Sequence, residues 1–259
     1  MADINEVFIV TGCSRGLGAA LFQQAQRPDR LLLGMARQPG TASLSGEQAD
    51  GDHRQTWRVD LGNAAEVAER LRDWLLQGDQ ANARRWVLIN NAAVLETPRD
   101  LSRQAGSHIE VVLRVGLEAP MLLSSALLAA RDARHRAGHA PSVQIMNISS
   151  GLGRRAMAGT AAYCAAKAGL DHFARVLALE ESAKSLGARV VSIAPGVIDT
   201  SMQRQLRGAS PAEFAAQKDF SNLHSSGSLS TPETTAMQLL AWLERPDFGQ
   251  QVVCDVRQP

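Results

Sequence analysis

Short β-rich runs alternate with longer helical stretches along the whole chain of 259 residues, and this alternation restricts the fold more than any other feature. Candidate strands cover residues 6–11, 31–35, 55–59, 86–90, 143–148, 189–194 and 251–254. Between them lie helix-forming stretches at 19–26, 64–76, 107–131, 161–186 and 232–243. Alternation of this kind predicts an α/β fold, a single doubly wound parallel sheet with helices on both faces, formed by residues 1–259 as one domain. Ser230, Thr231, Pro232 and Glu233 make a good helix start, with a capping hydroxyl, an early proline and an acid near the dipole. Two segments look loose. Residues 39–53 read as a surface loop, and residues 201–230 as a lid whose end, from Ser221 to Ser228, lacks any period.

Composition narrows the function classes. Hydrophobic residues make up 45% of the chain and the net charge is +1, so nothing argues electrostatically for nucleic acid or a membrane surface. No apolar run approaches the ~20 residues of a membrane span. The first six residues lack the basic and apolar regions of a secretion signal, which points to the cytoplasm. Cys13, Cys164 and Cys254 are odd in number and lack metal-ligand spacing, as expected of free thiols. His135 and His139 have the spacing of a metal pair but lie among Arg131, Arg134 and Arg136 with no acid nearby. An exposed basic loop without metal is expected there.

Two motifs carry chemistry. Val7-Phe8-Ile9-Val10 reads as a buried strand that runs into Thr11-Gly12-Cys13-Ser14-Arg15-Gly16-Leu17-Gly18, and an apolar helical segment follows. Strand, glycine turn and helix in this order suit a dinucleotide: Gly12 for the tight turn, Gly16 for close approach to a pyrophosphate, Gly18 for helix-on-strand packing. The helix-start amides would hold the phosphates. Farther on, Tyr163, the only tyrosine, stands four residues before Lys167 and thirteen after Ser150. Tyr163 and Lys167 therefore share a helix face, one turn apart. An ammonium near a phenol, whose free pKa is ~10, lowers that pKa and makes a usable acid or base for a carbonyl–alcohol pair.

These residues, with Asn90-Asn91-Ala92-Ala93 after one strand and Pro195-Gly196-Val197-Ile198-Asp199-Thr200 after another, resemble the short-chain dehydrogenase/reductase family over nearly the whole length. Residues 163–167, 176–181 and 194–203 look most like its sepiapterin reductase and benzil reductase branch. The resemblance implies a Rossmann-type fold, a nicotinamide cofactor, and catalysis by Ser150, Tyr163 and Lys167, with Ser149 the rival for Ser150. It assigns the cofactor to Gly12, Ser14, Arg15, Gly16, Leu17, Gly18, Arg37, Asp60, Leu61, Asn90, Asn91, Ala92, Tyr163, Lys167, Pro195, Gly196, Val197 and Thr200. NAD-preferring relatives usually carry an acid at the position of Ala36; here Arg37 and Arg15 can pair with a 2′-phosphate, so NADP(H) is expected.

The implied function is NADPH-dependent reduction of a ketone, with a vicinal diketone or a pterin side-chain ketone as candidates, bound by Ser150, Tyr163 and Asp255. The alternatives are another ketone–alcohol pair of ketoacyl, steroid or sugar type, or a non-catalytic NADP(H)-binding sensor. A homodimer or homotetramer joined through residues 107–131 and 161–186 is also implied. Two departures stand out. Ala93 replaces a usual glycine, and Gly116 falls where most relatives place the asparagine of a proton relay, unless the alignment slips there.

Overall fold

A computed structural model describes residues 4–38 and 53–258. Seven strands form one parallel sheet: β1 (Glu6–Thr11), β2 (Arg30–Ala36), β3 (Arg54–Arg58), β4 (Arg85–Asn90), β5 (Ser142–Ile148), β6 (Arg189–Ala194) and β7 (Val253–Asp255), in the order β3-β2-β1-β4-β5-β6-β7. The chain leaves β1 toward β2 on one side and returns to β4 on the other. This is the topological switch point, where ligands bind in doubly wound sheets. Every predicted strand is present, with its ends shifted by no more than two residues.

Both faces of the sheet are covered. Alternate residues of β1, Phe8 and Val10, pack with α1 (Gly16–Gln24) and α8 (Pro232–Leu243), while Val7 and Ile9 face α2 (Ala64–Leu75), α4 (Ala119–Arg136) and α5 (Ala161–Ser182). The period-2 pattern of a strand sends successive side chains to opposite layers, and both layers here are apolar. Thr231 Oγ1 accepts from the Thr234 amide at the start of α8, the hydroxyl cap expected there.

Three segments differ from expectation. The helix read at 107–131 consists of α3 (Gly106–Leu113), a π-helical turn (Arg114–Glu118) and α4, so His135 lies in the last helical turn rather than a loop. The stretch Gly106–Arg136 is long and apolar enough to cross a membrane by length and composition, but Leu123, Leu127 and Ala130 bury its apolar side on the sheet. The region after β6 is partly helical, with α6 (Ser201–Arg207) and α7 (Gln217–Ser225). Phe220 on α7 stacks on buried Phe214 with ring centroids 5.7 Å apart, a tertiary contact that local periodicity does not reveal. Residues 39–52 of the expected surface loop lie outside the described residues.

At the far end of α4 and α5, a buried ion pair ties the two helices together. Arg131 donates to Glu181 at 2.6 and 3.3 Å, and Glu181 also accepts from the Ala188 amide at 2.8 Å and from Lys184 at 2.5 Å. Burial alone would raise the Glu181 carboxyl, but these donors outweigh it and hold its pKa near about 2, against an ordinary 4.5. A folded pKa below the unfolded one contributes stability above the unfolded value and loses it as pH falls through the folded one. Glu181→Gln should therefore cost about 3–5 kcal/mol in denaturant unfolding. The gap between variant and wild type should shrink as pH falls from about 4.5 toward about 2. A gap that is small or independent of pH would show the pair to be incidental.

Candidate active site

The glycine turn lies at the carboxyl end of β1, where Gly12 and Gly16 adopt φ of +70° and +54°, left-handed values that other residues rarely take. A Cβ on Gly18 would stand 2.1 Å from the Gly12 carbonyl, so only glycine lets α1 sit this close to β1. Arg15 precedes α1 in extended conformation without a side-chain cap, which leaves the first-turn amides to an anion.

A residue given no role from sequence holds this turn in place. Thr11 Oγ1 accepts the amides of Asn91 and Ala92, both at 2.9 Å, while Asn91 Nδ2 donates to the Thr11 carbonyl at 2.8 Å. These bonds join the ends of β1 and β4 across the switch point. A hydroxyl directly before the first glycine was the available signal. Asn90, expected along the cofactor, turns its side chain into the core, where Nδ2 donates to Asn147 Oδ1 at 2.8 Å. Leu17 and Leu61 are also buried in the core, so only their backbones can serve a cofactor. Asp60 accepts from the Gly62 amide at 2.9 Å and caps a short turn after β3. Ser14 is half-buried, and Arg15 and Arg37 are exposed with no acid partner among the described residues.

The segment after β6 meets the same turn. Thr200 Cγ2 lies 3.5 Å from where a Gly16 Cβ would be, and its hydroxyl makes no capping bond to α6. Gly196 adopts φ +79° between Pro195 and Val197, and the Val197 carbonyl receives the Ser230 amide at 3.0 Å. The glycine cradle, the uncapped helix start and the Thr200 hydroxyl together fit a dinucleotide.

Ser150, Tyr163 and Lys167 come together as the sequence predicts. Ser150 Oγ accepts from the Leu152 amide at 3.1 Å, which fixes its direction, and Ser150 is close enough to the Tyr163 phenol to favour its ionised form. Ser149 is buried with its hydroxyl unpartnered, whereas Ser150 is the serine beside the phenol. Lys167 is buried, and its Nζ donates to the Ile148 carbonyl at 2.7 Å. That ammonium lies 5.7 Å from the centre of the Tyr163 ring.

The electrostatics correct one expectation. The resting phenol does not fall below its ordinary range: burial pushes Tyr163 up to about 12, with the neighbouring Ser150 opposing. Burial also pushes Lys167 down to about 8, opposed by the charge of Asp171. Low dielectric penalises both charged forms, and it outweighs an ammonium held beside the ring by a carbonyl.

Gly116 occupies the π-helical turn, and a Cβ there would lie 3.2 Å from that of Ala166, next to Lys167. The two helix backbones therefore approach each other closely at Gly116. Asp255, at the end of β7, is buried and takes Arg257 Nε at 2.8 Å, Nη2 at 2.6 Å and the Arg257 amide at 3.0 Å. Its oxygens are occupied, and a ring N–H and amino group would have to displace Arg257. Tyr163 also packs against an apolar cluster that includes Leu95, Met157, Met202, Leu206, Phe214 and Phe220.

The short chain dehydrogenase family model matches residues 6–210. The chain belongs to this family. Among curated members, the benzil reductase ((S)-benzoin forming) of Bacillus subtilis is 30% identical over 242 residues, covering 93% of this chain and 94% of that one. The sepiapterin reductase of Rattus norvegicus is 31% identical over 251 residues, covering 93% and 92%. A solved structure from Beutenbergia cavernae, provisionally described as an NAD(P)-dependent gluconate 5-dehydrogenase with NADP at low occupancy, aligns with a TM-score of 0.75 at 26% identity. It covers 98% of this chain and 96% of that one. As a short-chain dehydrogenase, the protein is an oxidoreductase for carbonyl–alcohol pairs that uses a nicotinamide cofactor, and its relatives include the branch that its sequence resembles.

With a single tyrosine, the phenol can be titrated by absorbance without ambiguity. At pH 10, where about half of a free phenol is ionised, the folded chain should show little tyrosinate, and unfolding should release it. Half-ionisation of the folded protein at that pH would contradict the dominance of burial.

Proposed function

We propose that this short-chain dehydrogenase is an NADPH-dependent carbonyl reductase acting on an apolar ketone, with an aromatic vicinal diketone as the first candidate. The observation that carries this reading is the Tyr163 phenol, set beside Ser150 and Lys167 and packed against the apolar cluster of Leu95, Met157, Met202, Phe214 and Phe220. A pterin is the weaker candidate, because the carboxylate that would anchor it is paired with Arg257.

When bound, the nicotinamide supplies hydride to the carbonyl carbon. Negative charge then grows on the carbonyl oxygen, where Ser150 donates a hydrogen bond and Tyr163 a proton. Tyr163 is a poor acid at rest. Its conjugate base gains from the Lys167 charge as that base forms, which favours the transition state over the ground state. Apolar walls exclude water and strengthen these interactions. Lys167, Thr200 and the backbone at Pro195 to Val197 would orient the nicotinamide end, and the glycine turn the pyrophosphate.

The exposed arginines Arg15 and Arg37, with no acid at Ala36, favour a 2′-phosphate and hence NADPH. An intact Ser150, Tyr163 and Lys167 set disfavours a non-catalytic sensor. Self-association into a dimer or tetramer is supported by apolar residues on the outer faces of α4 and α5, with Leu179 73% and Met121 43% exposed.

A panel of ketones assayed with NADPH and NADH in parallel tests the reading. Apolar diketones with NADPH should turn over fastest, and Arg37→Asp should cost about 1–3 kcal/mol of NADPH binding, from a lost charge-assisted bond, while letting NADH compete. Equal use of both cofactors by the wild type would refute the phosphate clamp.

A further inference from the structure

The loop that carries Ser150 is fastened to the helix that carries Lys167 by a polar cluster to which the reaction assigns no part. Asp171 stands one helical turn after Lys167 on α5 and is 2% exposed. Its Oδ1 accepts from Ser192 Oγ on β6 at 2.6 Å, and its Oδ2 from Arg154 Nε at 3.1 Å. Arg154 also donates to the Cys254 carbonyl on β7 at 2.8 Å. The carboxylate is thus held from three directions, by a strand, a loop and its own helix. Gly153 permits the contact, because a Cβ there would lie 2.9 Å from the Lys167 carbonyl and 3.1 Å from Asp171 Oδ2.

A buried ammonium bonded only to a neutral carbonyl is poorly compensated. Of the charged groups around Lys167, Asp171 lies on the same helix and Arg154 on the loop after β5. Asp255 and Arg257 pair with each other beyond Arg154, at the end of β7, and the π-helical turn brings the uncharged Gly116 and Leu117 against α5.

We propose that Asp171 is a positioning residue that supplies the counter-charge for Lys167, with Arg154 setting how much of that charge Lys167 feels. The inference deepens the proposed function, since it rests on Lys167 acting as a cation beside Tyr163. Asp171 touches neither substrate nor cofactor, and it acts through Lys167. The Coulombic pull of Asp171 is the influence that opposes the burial-driven fall of Lys167. Removing the acid must move the lysine down, and removing the arginine, which partly neutralises that acid, must move it up.

The chain contains only three lysines, Lys167, Lys184 and Lys218, so NMR of ε-carbon-labelled lysine resolves each titration without requiring turnover. In the wild type, Lys167 should titrate near about 8. Asp171→Asn should lower its midpoint by about one pH unit, and Arg154→Gln should raise it, while Lys184 and Lys218 stay where they are. Shifts of opposite sign cannot come from general loosening of the fold. An unmoved Lys167 in both variants, or shifts in the same direction, would overturn the proposal. Should Asp171→Asn fail to fold, Arg154→Gln decides alone, and no upward shift would refute the idea. A wild type that reduces no ketone in the panel would defeat the carbonyl-reductase reading and leave this titration equally decisive.

Discussion

The hydroxyl of Thr11 accepts two backbone amides from the end of β4, and the rest of the site depends on that clamp. The switch point of a doubly wound sheet is where two strands diverge in connectivity, and their free ends must be held for a ligand to find a rigid floor. Thr11 and Asn91 do this with four hydrogen bonds, one of them to the Gly12 carbonyl at 3.4 Å. Gly18 then fits against Gly12, α1 starts at a defined point, and Thr200 meets Gly16 from the other side. Loss of the clamp would displace the cradle without touching a group that reacts.

Much of this was legible in the sequence, for identifiable reasons. Strands buried on both faces read as near-continuous apolar runs, as in β1, β2 and β4, and the alternation with helical stretches pointed to the others. The glycine turn and the Ser150, Tyr163, Lys167 spacing are local in sequence and survive translation into structure. What escaped depends on contacts between distant residues. The stack of Phe220 on Phe214 organises a helix from a segment with no visible period. Arg131 looked like one of several basic surface residues until Glu181, fifty positions away, paired with it in the core. Asn90 kept its place in the motif but turned inward to Asn147, which no spacing rule indicates. Asp255 sits where expected, yet its neighbour Arg257 occupies the carboxylate.

The electrostatic picture also changed in an instructive way. Spacing alone suggested a lysine that eases ionisation of the phenol. The structure places the ammonium against the Ile148 carbonyl and buries both groups, so each resists its charged form. A phenol that resists ionisation is a weak acid at rest, so its proton moves only as the oxygen that receives it acquires charge. The cation beside it matters when the proton leaves.

The central claim is that the Tyr163 phenol delivers the proton. Tyr163→Phe removes one oxygen and leaves the ring packed between the substrate-side cluster and α3, so the fold and the cradle should persist. Measured together, NADPH affinity should stay near the wild-type value, while turnover of an apolar diketone should fall by at least about 10²-fold, the usual loss for an acid–base group. Turnover that survives the substitution with affinity unchanged would contradict the account.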